Sequence, residues 1–146
     1  MAGINFFNED IKLNLKNKIK LKTWIKEAIK AEGYKLNELN FIFCSDNYLL
    51  EINRQYLNHD TFTDIITFDN SEVNKLIVGD IFISYERVCE NASKFAVSEE
   101  DELHRVIIHG TLHLLGYKDK SKMDKALMTQ KEDHYLQLRQ PSNITA

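Results

Sequence analysis

The chain is poor in residues that staple, bend or loosen a fold: two cysteines, one proline and five glycines in 146 residues. Cys44 and Cys89 make no CxxC pair. That excludes a disulfide framework and leaves two free thiols expected in the core of a protein from a reducing compartment. The N-terminal stretch MAGINFFNEDIKLN lacks a basic segment followed by an apolar run, so no secretory signal is visible. No apolar run approaches the ~20 residues that span a bilayer. A cytoplasmic location without membrane association is the expectation. No linker, internal repeat or low-complexity segment breaks the chain. A single domain, residues 1–146, is long enough to bury a core unaided.

A strong excess of one charge is also missing, since the net charge is −3. Its distribution is uneven. Residues 11–35 hold eight lysines against Glu27 and Glu32, and Lys118, Lys120, Lys122 and Lys125 crowd a second segment. Between Glu72 and Leu103, eight acids face three bases. Two basic patches on an acidic chain can follow phosphates, or can simply be solvated helix faces.

Hydrophobic periodicity divides the chain into alternating strands and helices. Ile4 to Phe7 reads as a short strand, and the alternation in IKLNLKNKIKL predicts an edge strand in its first half. Leu21, Trp24, Ile25, Ala28 and Ile29 take helical spacing from about Lys20 to a stop at Gly33. Leu39 to Cys44 reads as a buried strand, and Ser45 or Asp46 caps a helix carrying Leu49, Leu50, Ile52, Asn53 and Tyr56. Strands follow at Asp64 to Phe68 and Leu76 to Ser84, the latter with Gly79-Asp80 as a bulge or a close backbone approach. Helices are expected over Tyr85 to Ala96, from a capping box at Ser98, and over Lys122 to Leu138, before a frayed tail, QPSNITA.

The chemistry concentrates in HGTLHLLGYKD, residues 109–119. His109 and His113 stand about 6 Å apart along one helix face. Gly116 offers a stop, and Asp119 follows a turn later. Two imidazoles and a returning carboxylate suit one first-row divalent ion, with zinc the default occupant. Three protein ligands leave one coordination position for water, the arrangement of a catalytic site. The surrounding helix is apolar nearly all round, and Glu102, Arg105, His109, His113 and Gly116 form its single polar stripe.

Buried helices do carry hydrogen-bonded histidines, but the glycine-then-acid continuation and the stripe argue against that for this pair. The layout is like that of HExxH hydrolases, yet the position of their general base is Gly110, so a peptidase is demoted on chemistry. His59, His104 and His134 default to surface or capping roles. Asp64 and Asp80, each at a strand end, are either orienters of ligand histidines or simple turn residues.

These segments together resemble the YbeY family of bacterial endoribonucleases, whose motif is HGxLHLxGYDH. His109, Gly110, Leu112, His113, Leu114, Gly116 and Tyr117 match it, and FCSDNYLLEINRQY, TDIITF and GDIFIS resemble the family's other segments in order, over about residues 38–138. Asp119 falls where the family has its last metal-binding histidine, with Lys118 in place of an aspartate. A carboxylate there makes harder cations such as manganese more plausible beside zinc. Leu57 stands where the family carries an arginine, so Arg54 or Arg105 is the candidate phosphate contact.

The resemblance implies an α+β fold, with a small mixed sheet of about four strands packed with about five helices and the metal site on a central buried helix. It implies a metal-dependent endoribonuclease acting on single-stranded RNA, in maturation of the 3′ end of 16S rRNA and in ribosome quality control. His109, His113 and Asp119 would hold the ion, whose water is activated for attack. Arg54 and Arg105 would contact the phosphate in the transition state, and Lys118, Lys120 and Lys122 would bind the RNA backbone. Implied partners are ribosomal RNA, the small ribosomal subunit and a ribosomal protein or assembly GTPase, with the chain a monomer. Two rivals stay open: a non-catalytic ribosome-assembly factor with a structural metal, and a metallohydrolase of small substrates.

Overall fold

A computed structural model describes residues 3–57 and 63–139; His59 and the tail from Gln140 lie outside the described residues. The elements run β1 (Gly3–Asn8), α1 (Lys18–Ala31), β2 (Lys35–Cys44), α2 (Asp46–Leu57), β3 (Ile65–Asp69), β4 (Leu76–Ser84), α3 (Tyr85–Lys94), α4 (Glu99–Leu114) and α5 (Lys122–Gln137). The four strands form one sheet in the order β1-β2-β4-β3, with β1, β2 and β4 parallel and β3 antiparallel to β4. This is the expected α+β fold with a mixed sheet and five helices among the described residues. No described helix is long and apolar enough to cross a membrane.

Strand alternation assigns the two faces. Phe41, Phe43, Ile77, Ile81 and Ile83 point to one side, where they meet Leu21, Ile25 and Ile29 of α1 and Leu103, Ile107, Ile108 and Leu112 of α4. Cys44, Ile66, Phe68 and Phe82 point to the other, where Leu49 and Ile52 of α2 cover them. The helix α4 therefore lies in the middle of the larger core, as its nearly uniform apolar surface requires. Gly110 lets it sit close: a Cβ there would stand 2.7 Å from Ile65 Cδ1 and 3.1 Å from Ile81 Cγ2.

One expectation is corrected, and one pair of alternatives is decided. The alternating segment after β1 forms no strand; Ile11, Leu13 and Leu15 instead lay alternate side chains on the core from an extended connection. Period-two burial reports which side chains are covered, not whether the backbone has a ladder partner. In β4, Gly79 is a close approach rather than a bulge, with a Cβ position 2.8 Å from the Phe68 carbonyl oxygen. The irregular register lies in β2, between Leu36 and Glu38.

Helix α4 begins and ends on local chemistry. Ser98 caps it, its side chain accepting from the Asp101 amide at 3.0 Å, and four acids occupy the first turn, where the helix dipole favours them. At the other end the Tyr117 amide donates to the Leu112 carbonyl (3.1 Å) and the Gly116 amide to that of His113 (3.1 Å). This is a Schellman end, and it needs a left-handed residue, which Gly116 supplies at φ 100°. The chain then turns back towards the helix face it has just left.

The helices α1, α4 and α5 meet around Trp24 and His104. The Trp24 indole donates to the Tyr135 carbonyl at 2.7 Å, and its ring lies 5.7 Å from that of His104. Arg139 donates to Nδ1 of His104 at 2.8 Å, which fixes that nitrogen as an acceptor and the ring as neutral. Burial, reinforced by the Arg139 charge, pushes the His104 pKa down to about 4 against the opposing pull of Glu100 and Asp101. The unfolded chain thus binds a proton between about pH 6.5 and 4 that the folded chain refuses. Stability should be full above pH 6.5 and fall as pH drops through that window, by about 1–2 kcal/mol after allowing for partial exposure. Urea denaturation across pH 4–7 should show this slope, and His104→Gln should flatten it.

Candidate active site

The polar stripe of α4 faces a cleft of about 360 Å³, lined by Thr63, Asp64, Ile65 and Thr67 from the β3 side, by Glu102, Arg105, Val106, His109 and His113, and by Asp119 and Glu132. The four-residue spacing read from the sequence thus does set these side chains on one face. His109 is at the centre. Its Nδ1 lies 2.6 Å from a Glu132 carboxylate oxygen and its Nε2 3.2 Å from Oδ2 of Asp119. The turn after Gly116 therefore brings Asp119 back to His109 as expected. His113, one turn further, lines the same cleft and is exposed to solvent.

Electrostatics follow from this crowding. Burial would lower the His109 pKa, but the hydrogen bond and charge of Glu132, with Asp119 and Asp64 behind, win and raise it. Burial lifts the Asp64 carboxyl above its ordinary range, although His109 and Arg87 pull it down. Glu102 is raised by burial and by the neighbouring Asp64. Four carboxyl groups thus share the cleft with one guanidinium and two imidazole rings, a set rich in negative charge that favours a cation.

Glu132 is the functional residue that sequence reasoning missed. Its side chain is 8% exposed and bridges His109 to Arg105, whose Nη1 donates at 2.8 Å. Carboxylates behind an imidazole fix its tautomer and aim the other nitrogen. A sequence signal existed: Met128, Glu132 and Tyr135 recur at helical spacing and all three are buried, so a carboxylate stands in a core-facing stripe. Such a group needs a partner.

The turn carrying Asp119 is itself anchored. Glu32, at the end of α1, accepts from the hydroxyls of Tyr117 (2.6 Å) and Tyr135 and from the Lys131 ammonium (3.2 Å). Burial opposes its charge, but these donors hold the Glu32 pKa below the usual range. Tyr34 adds a bond to the Leu115 carbonyl at 2.9 Å.

The other candidates divide. Asp64 lies in the cleft, where its carboxyl and His109 act on each other through charge. Asp80 does not; it accepts from Asn40 and Asn70 on the opposite sheet face. Arg105 lines the cleft but is committed to Glu132 and to Asp133 (2.7 Å). Arg54 is placed elsewhere: it pairs with Glu51 on α2, whose core face covers the other side of the sheet. Lys118 and Lys120 flank Asp119 and, like Lys122 at the start of α5, are exposed. Cys44 is core, with its thiol pushed up to about 12 by burial. Cys89 is only half-buried.

A metal can be tested against these residues. Donor atoms ~2.0–2.2 Å from a tetrahedral ion stand about 3.3 Å apart. The 3.2 Å between His109 Nε2 and Asp119 Oδ2 matches that separation. Among the described residues, no three His, Cys, Asp or Glu side chains converge into a ready cation cage. Two donors are in register, and the solvent-facing His113 would have to close on them.

Helix-borne imidazoles backed by a buried carboxylate, in a cleft of shifted carboxyls, are the layout of a hydrolytic centre on an α+β scaffold. Comparison with known proteins gives the particular family. Residues 4–140 match the family described as Endoribonuclease YbeY, and the chain belongs to that family. Relatives of that name include one from Cytophaga hutchinsonii, 54% identical over 93% of this chain and 95% of its own length, and one from Flavobacterium psychrophilum, 53% identical over 90% and 94%. A solution structure of a Thermotoga maritima protein superposes with a TM-score of 0.63 at 31% identity, covering 92% of this chain and 87% of that one.

Proposed function

We propose that this protein is an endoribonuclease that hydrolyses phosphodiester bonds of single-stranded RNA, in maturation of the 3′ end of 16S rRNA and in ribosome quality control, with one divalent ion held by His109, His113 and Asp119. One observation carries the ion: four carboxyl groups converge on the helix-borne imidazoles. A phosphodiester would be repelled from such a cleft unless a cation stood between them. Zinc suits two imidazoles and a carboxylate, with manganese next. When bound, such an ion supplies a Lewis acid for a phosphoryl oxygen and a water of lowered pKa.

The chain's own residues do the rest. Glu132 holds His109 with Nε2 towards Asp119, and Arg105 holds Glu132. Glu102 and Asp64, both lifted above the ordinary carboxylate range, are the groups placed to take or return a proton at their carboxyl oxygens. Arg105 leaves part of its guanidinium for a phosphate oxygen, and Lys118, Lys120 and Lys122 would follow the backbone without reading sequence. Ribosomal RNA in the small subunit is the partner this chemistry fits.

Chelation tests the reading. Protein stripped of metal should lose cleavage of unstructured RNA while its melting temperature moves by only a few degrees, and zinc or manganese should restore activity. Cleavage that survives chelation would refute the metal's part. A collapse of the fold on chelation would mark a structural ion instead.

A further inference from the structure

A groove of about 630 Å³ opens beside the cleft and shares Glu102 and Arg105 with it. On its far wall stand Phe95 and Val97, 57% and 44% exposed, at the junction of α3 and α4. The backbone sets them there. Helix α3 closes in a Schellman end, the Val97 amide donating to the Ala92 carbonyl at 3.0 Å, with Ala96 in the left-handed position at φ 56°.

Both guanidiniums of the groove are already paired, and Glu102 adds a carboxylate beyond those pairs. Arg139 pairs with Asp101 at 3.1 Å and Arg105 with Asp133 at 2.7 Å. Beyond the edge of Arg105 that faces the cleft, such walls offer a phosphate no spare positive charge. An aromatic face among polar edges suits a nucleobase, which needs a surface to stack on and donors and acceptors at its rim. The Lys94 ammonium lies over the Phe95 ring, 5.7 Å from its centroid, so a base would stack on the opposite face with this cation free to turn to a neighbouring phosphate. Arg105, at the boundary, is about 6 Å along α4 from His109. A strand leaving the cleft therefore reaches the groove within about one nucleotide.

We propose that this groove is a nucleobase subsite: a base of single-stranded RNA adjacent to the scissile phosphate stacks on Phe95, with Lys94 at the neighbouring backbone. The proposal rests on the endoribonuclease reading of the cleft. Stacking of this kind tolerates any base and demands an unpaired one, which gives a physical source for single-strand preference.

Fluorescence anisotropy on the full, zinc-loaded chain tests it, with a labelled cleavage-resistant (phosphorothioate) single-stranded RNA and an abasic strand of the same length and backbone, cleavage being read separately on unmodified RNA. Phe95→Ala should weaken RNA binding about tenfold and leave the abasic strand unaffected. Phe95→Trp should keep the wild-type affinity. Because Phe95 is exposed, both variants should keep the wild-type melting temperature. Equal RNA affinity for wild type and Phe95→Ala would overturn the subsite, as would equal loss on both strands. A Phe95-dependent protein partner with RNA affinity unchanged would overturn it too. Wild type that cleaves RNA while Phe95→Ala is indistinguishable removes the subsite alone; wild type that neither binds nor cleaves RNA removes the endoribonuclease reading with it.

Discussion

Glu132→Ala should lower stability by about 3 kcal/mol, a large effect for one side chain on the last helix. The wild-type carboxylate is 8% exposed and receives Arg105 at 2.8 Å and His109 at 2.6 Å. Alanine leaves the guanidinium with only Asp133 and the imidazole Nδ1 without its acceptor, both only partly open to water. Breaking a buried pair costs more than the pair contributes, because the remaining charge stays desolvated. The same change should remove the largest favourable influence on the His109 pKa, which then falls. An NMR titration of His109 would read this directly. Glu132→Gln, which keeps an acceptor but no charge, should lower that pKa with a smaller loss of stability. Affinity for zinc should fall about 10–100-fold in the alanine variant, since the ligand ring loses its orienting bond. A stable Glu132→Ala protein with unchanged His109 titration would mean the contact is incidental.

Gly79→Ala should be comparably damaging for a different reason. The new Cβ would stand 2.8 Å from the Phe68 carbonyl oxygen and 3.0 Å from Leu114 Cδ1. The leucine methyl can rotate away, but the carbonyl belongs to β3 and can move only if the strand moves. Overpacking of this kind costs typically 1–3 kcal/mol, and a backbone collision puts it at about the upper end. A melting temperature lower by roughly 10 °C is expected. The damage should be local at first: β3 carries Ile65 and Thr67 into the cleft, so amide exchange should accelerate along Ile65–Asp69 before it does in β1. Uniform exchange across the sheet would count against a displacement of β3.

These two residues also show what the sequence does and does not disclose. The two histidines, the stripe they belong to and the returning acid are local features, set by helical spacing and one glycine turn, and all three were legible. The strands were legible too, because alternation and apolar runs survive in a single sequence. The non-strand at Ile11 to Leu15 was misread, since a covered extended segment and a paired strand share one pattern. Glu132 escaped because it lies 23 residues from His109, and only packing of α5 on α4 joins them. Arg54 shows the converse. It is near in sequence to the family's arginine position, yet the sheet's two faces separate α2 from α4. Residue type proposes a role; the side of the sheet decides it.

The most direct measurement is metal content and cleavage of unstructured RNA on one preparation of His113→Ala, beside wild type. His113 is exposed, so the variant should fold normally. Wild type should carry about one divalent ion per chain and cleave, whereas the variant should hold no stoichiometric ion and leave the RNA intact, with its melting temperature within a few degrees of wild type. Full-rate cleavage by metal-free His113→Ala would contradict a catalytic ion at this site.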